Sequence, residues 1–206
     1  MSNRFVAASI AVACAGSALA QNTAVTLVPD PTYTLNNDTG YSSGYEFTVG
    51  SNAIDVTSLG YFDYGSLTEN HQVGIYDMSG TLLLSGTVAA GSSATDYFAY
   101  TSSLTGSTAL AANTSYEIMG VSGFVDPYTF LPTSFSTDPD ITFDTAEWTL
   151  GNTLAFGQHT QDVVGFFGPN FTFGAVTPEP ASICLLGLSV FGLAIRRRRP
   201  TSGPNG

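Results

Sequence analysis

The side chains able to do chemistry are few in kind. His71 and His159 are the only histidines, and neither has a cysteine or second histidine at the spacing of a zinc site. The plain expectation puts His71 on a strand face and His159 in the loop Gly157-Gln158-His159-Thr160-Gln161. Serines are common, but no Gly-x-Ser-x-Gly elbow presents one as a nucleophile. Paired carboxylates can hydrolyse glycosides, yet no Lys or Arg stands near any of them to orient a substrate. No catalytic residue is therefore assigned. Asp138, Asp140 and Asp144 fall within seven residues, and hard oxygen ligands at that density can take calcium. Their segment lacks the length, glycine and terminal Glu of an EF-hand loop. Pro139 marks a turn entering a strand, so a solvated acidic turn is the first expectation and a calcium site the second. No other cofactor is expected. Trp148 and some of the ten tyrosines offer flat faces on which a sugar can stack; the neighbours of Trp148 point it towards a core.

Charge narrows the partners. Every basic residue is terminal: Arg4, then Arg196, Arg197, Arg198 and Arg199. Between Gln21 and Thr177 there is no Lys or Arg, against fifteen Asp and Glu. Nucleic acid is excluded as a partner, since binding it requires cations on the phosphates. Anionic lipid is disfavoured for the same reason. Self-repulsion keeps such a domain soluble. Cys14 and Cys184 lie in the apolar end segments, leaving the middle without a disulfide or thiol chemistry.

The middle reads as all-β. Segments rich in Val, Ile, Thr, Tyr and Phe alternate with Gly, Asn, Asp and Ser clusters. Residues 45–49 alternate strictly; 71–76 do so in part. Further strands are predicted over 24–28, 54–62, 81–88, 95–100, 115–121, 140–143, 147–150 and 162–167. No long stretch repeats every 3.6 residues. Asp77-Met78-Ser79-Gly80 has Asp first and Gly fourth, as a type I turn prefers, and predicts a hairpin. Residues 21–175 are thus expected to form one antiparallel β-sandwich of jelly-roll type. The phrase running from Ser58 to Leu83 looks like a recurrent module of bacterial surface proteins, which implies the same architecture and no particular activity.

The ends carry addresses. Residues 1–20 have Arg4, an apolar stretch and Ala18-Leu19-Ala20. This is the layout of a secretory signal peptide cut by signal peptidase after Ala20, with Ala18 and Ala20 as the small residues of the cleavage site. A lipoprotein signal at Cys14 is the rival, and Ala11 replaces the leucine it usually has. At the other end Pro178-Glu179-Pro180 precedes an apolar run at 181–195 and the four arginines. A helix of that run covers roughly 22 Å, short of a bilayer core of about 30 Å. It spans if the arginines snorkel or the bilayer thins. The arginines hold its end on the cytoplasmic side, leaving the acidic domain outside. The two prolines keep the helix from extending upstream.

This tail closely resembles the PEP-CTERM sorting signal of Gram-negative and related bacteria. The residues that carry the resemblance are Pro178, Glu179 and Pro180, the Leu- and Gly-rich stretch through Leu193, and Arg196 to Arg199. It covers 176–199, and the extension Pro200 to Gly206 departs from the usual ending at the arginines. The resemblance implies recognition by exosortase, a membrane-anchored intermediate, and delivery to the cell surface or extracellular matrix. The expectation for the whole chain is an exported, non-catalytic surface protein. A carbohydrate- or calcium-binding module, with extracellular polysaccharide as partner, is the alternative; a secreted hydrolase comes third. Three Asn-x-Ser/Thr sequons stand at Asn37, Asn113 and Asn170; in a bacterial chain they are expected by chance.

Overall fold

The computed structural model describes residues 21–28, 34–130, 135–161 and 165–176. Every regular element among them is a strand, and every pairing is antiparallel. The segments 1–20 and 177–206 lie outside the described residues, so the expected signal peptide and the apolar run at 181–195 have no structural counterpart here. Among the described residues no helix is long and apolar enough to cross a membrane.

Two large sheets face each other. One has seven strands, in the order Leu104–Gly106, Leu82–Val88, His71–Asp77, Ser115–Val121, Tyr41–Val49, Ile141–Leu150, His159–Gln161. The other is built on Ile54–Phe62, with Pro169–Ala175 on one side and Phe98–Thr101 on the other. Their inner faces supply an aromatic core that includes Tyr45, Phe47, Tyr61, Phe62, Phe98, Phe171 and Phe173, all fully buried. Phe47 of the first sheet meets Phe171 of the second with ring centroids 4.9 Å apart. A three-stranded sheet of Thr34–Asn36, Tyr128–Phe130 and Phe166–Phe167 closes one end.

Most predicted strands are present, and the differences have physical causes. Residues 140–143 and 147–150 are one strand, Ile141–Leu150, interrupted by a bulge at Asp144. Before the bulge the odd residues Ile141 and Phe143 face inward; after it the even residues Ala146 and Trp148 do. One inserted residue reverses the parity, which is why the run does not read as a single alternating segment. Pro169–Ala175 escaped prediction altogether because Pro169, Asn170 and Gly174 are poor strand formers. Pro169 is tolerated as the first residue of the strand, and Phe171 and Phe173 anchor it in the core. Tyr41–Val49 begins four residues earlier than predicted, since Ser42 and Ser43 are small enough to be buried there.

The hairpin at Asp77 forms as expected. The Gly80 amide donates to the Asp77 carbonyl at 2.9 Å, and Gly80 takes φ 82°, the left-handed residue that completes this turn. Asp77 Oδ1 accepts the Ser79 hydroxyl and the Ser79 and Thr81 amides. Those bonds, the Ser79 hydroxyl first, hold its carboxyl below the usual range.

Candidate functional site

Between the seven-stranded sheet and the small three-stranded sheet lies a groove of about 240 Å³. The parity change at Asp144 turns Trp148 to the inner side, but beyond the reach of the opposite large sheet. Trp148 is therefore only partly buried. The expectation that it faces a core is half met: it packs on a small cluster with Tyr128, Ala146 and Phe166 and also lines the groove. His159, its cross-strand partner, stacks on it at 4.3 Å, and Tyr41 meets it edge-on at 5.8 Å. Phe130 stacks on Phe166 at 5.2 Å and forms the facing wall.

Polar groups converge on the same space. Asn36, Asp38, Ser43 and Gln161 line it. The Asn36 amide donates to the Tyr128 hydroxyl at 2.8 Å. Burial, then the charge of Asp38, push the Tyr128 phenol up to about 12 against that bond. Ser43 is 2% exposed, and its hydroxyl has no hydrogen-bond partner. A buried hydroxyl without a partner is costly. This groove was not visible in the chain beyond Trp148. Most of its other lining residues come from strands of two or three residues, too short to alternate, and Tyr41 and Ser43 from the start of Tyr41–Val49 that was not predicted.

The other expected residues are scattered. Asp138 accepts the Asp140 amide at 3.0 Å and closes the turn before the strand. Asp144, carried outward by the bulge, accepts the Thr48 hydroxyl at 2.7 Å. The structure thus gives Asp138 and Asp144 separate tasks, and among the described residues no group of three or more His, Cys, Asp or Glu could hold a metal ion. His71 lies on a strand, as expected, but fully buried and stacked on Tyr61 at 3.7 Å. Its Nε2 stands 3.1 Å from Asp126 Oδ2, and its Nδ1 stands 3.0 Å from the Val121 carbonyl. Both ring nitrogens thus have an oxygen within hydrogen-bond distance. His159 lies on a short edge strand and not in a loop. Asn37 and Asn113 are exposed, whereas Asn170 is buried. The cleavage-site residues Ala18 and Ala20, the motif Pro178-Glu179-Pro180 and Arg196 to Arg199 lie outside the described residues.

A second set of carboxylates gathers on the outer face of the seven-stranded sheet. Glu117 lies opposite Glu46 across the ladder. Glu117 and Glu147 each place a side-chain oxygen within 3.0 Å of where a Cβ on Gly157 would sit. Only glycine lets the backbone descend between them. The Gly157 amide donates to Glu117 Oε1 at 2.5 Å, and the Thr160 hydroxyl donates to Glu147 at 2.9 Å. Burial pushes the Glu117 carboxyl up to about 7; the Gly157 bond opposes this and Glu147 and Glu46 add to it. Above its ordinary value of 4.5, Glu117 is ionised in the unfolded chain before the folded one, so stability falls as pH rises towards about 7. Glu117→Gln keeps the oxygen that accepts from Gly157 and removes the titration. At pH 8 it is expected to stabilise the domain by about 1–3 kcal/mol, with no gain at pH 4, in urea melts at the two pH values.

Comparison with known proteins bears on the C-terminal end of the chain. Fold and groove define an all-β, antiparallel module with an aromatic-lined groove. Residues 176–199 match the family model of the PEP-CTERM protein-sorting motif. The chain therefore carries a PEP-CTERM sorting signal immediately after its last core strand, Pro169–Ala175. A search of curated proteins found no match to the chain.

Proposed function

We propose that this chain is an exported protein passed by exosortase to the cell surface or extracellular matrix, where its acidic β-sandwich acts without catalysing a reaction. The sorting motif at 176–199 carries the reading. On this account signal peptidase removes residues 1–20, residues 181–195 hold a membrane-anchored intermediate, and Arg196 to Arg199 fix its orientation. Pro178-Glu179-Pro180 comes after the strand Pro169–Ala175 in the chain, so processing there leaves the domain whole. A jelly-roll winding agrees with the chain's repeated crossing between the two large sheets, as in Tyr41–Val49, Ile54–Phe62 and His71–Asp77. Nucleic acid has no place among the partners, and no cofactor is invoked.

The test is fractionation of cells with and without exosortase. The expected result is retention in the inner membrane, with a higher mass, when the enzyme is missing. Identical location and mass in both strains would remove the reading.

A further inference from the structure

We propose that the groove beside Trp148 binds a neutral saccharide, seating one sugar ring between Trp148 and Phe130. The inference deepens the delivery reading, because it names what the displayed domain holds at the surface. The groove's volume of about 240 Å³ is below the roughly 300–1,000 Å³ of pockets for drug-sized ligands, which suits a single ring of a longer chain. Its walls are aromatic, and aromatic faces stack on the apolar C–H faces of sugars. Ser43 is among its lining residues, and its buried hydroxyl has no partner; a ligand hydroxyl that reached it would supply one. Asn36 and Gln161 are amides that can donate and accept at the rim.

Charge selects among sugars. Asp38 is the one carboxylate among the lining residues, and no Lys or Arg lines the groove. An acidic sugar would meet repulsion with nothing to offset it. A quaternary ammonium would suit the aromatic walls and Asp38, but it has no hydroxyl or N–H to offer Ser43, Asn36 or Gln161. The donors and acceptors therefore favour a polyhydroxylated neutral ring.

Trp148 is the only tryptophan in the chain, so its fluorescence reads the groove directly. The experiment titrates the full chain, held in a detergent without a sugar headgroup, with neutral gluco-, manno- and galacto-oligosaccharides. Polygalacturonate and tetramethylammonium serve as the charged arms. A saturable shift with at least one neutral oligosaccharide, and none with polygalacturonate, is expected. Ser43→Ala and Gln161→Ala are expected to weaken binding about three- to tenfold each with the circular dichroism unchanged. A response to tetramethylammonium alone, no response to any arm, or binding that both substitutions leave intact would each overturn the proposal. Failure here leaves exosortase-dependent location untouched, and loss of that dependence leaves the titration untouched, so the two readings fail separately.

Discussion

Asp126→Ala is expected to destabilise the sandwich by about 3–5 kcal/mol, the cost of leaving several hydrogen-bonding groups around it without an acceptor. Asp126 is 3% exposed, yet it accepts from the Thr68 amide and hydroxyl, the Glu69 amide and the His71 ring. Removing it strands two amides and a buried imidazole at once. At this chain length the loss corresponds to roughly 6–20 °C in melting temperature, read by circular dichroism. The pH dependence has a definite sign. Burial alone would raise the Asp126 carboxyl, but the bonds from His71, Glu69 and Thr68 outweigh it and hold the group below its usual value of 3.8. A carboxyl lowered in the folded state stabilises above its unfolded pKa, and that contribution is lost as pH falls through the folded one. Wild type should therefore lose stability on acidification below about pH 4, and Asp126→Asn should lose less over the same interval. An Asp126→Ala variant within 1 kcal/mol of wild type at pH 7 would show that the His71 pair holds nothing together.

Asn170→Ala is expected to cost about 2–4 kcal/mol, from the buried polar groups it leaves without partners. Asn170 is fully buried and acts as a rung between layers. Its Oδ1 accepts the Val25 and Phe171 amides at 3.2 and 2.9 Å. Its Nδ2 donates to the Val25 carbonyl at 2.8 Å and to the Tyr100 hydroxyl at 3.2 Å. It thereby ties Val25–Leu27, which pairs with Phe135–Thr137 in a separate two-stranded sheet, to the six-stranded sheet. Asn170→Asp keeps the shape but points a carboxylate oxygen at the Val25 carbonyl, and it is expected to cost at least as much. Urea unfolding measures both; an Asn170→Ala midpoint equal to wild type would refute the rung. The same geometry keeps Asn170 from serving as a glycan acceptor in the folded domain, unlike the exposed Asn37 and Asn113.

Both sites show where reading the chain stops. His71 and Asp126 are 55 residues apart, and Val25 and Asn170 are 145 apart. Nothing local marks either pairing. Asn170 stood out only as part of a sequon, and Asn near Pro and Gly disfavours strands on its own. Its burial against Val25 reverses that preference. The groove is similar: Trp148 was visible as an aromatic of interest, but its facing wall at Phe130 and its lining residue Ser43 lie on other strands.

The amino-acid sequence by itself determined the class and the C-terminal address. Alternating β-branched and aromatic runs with glycine punctuation dictate an antiparallel all-β domain, since those patterns bury one face of a strand. The order Pro-Glu-Pro, apolar run, arginine cluster specifies a sorting signal, because a linear tail is read by its local order. The absence of Lys and Arg from residues 21–177 limits the partners without any fold. Only the tertiary structure decided what the carboxylates do. It spread Asp138, Asp140 and Asp144 over a turn and a bulge, buried Asp126 against a histidine, and gathered Glu117 and Glu147 around Gly157. A carboxylate's role is set by what lies within hydrogen-bond reach, and in a β-sandwich those neighbours come from strands far apart in the chain.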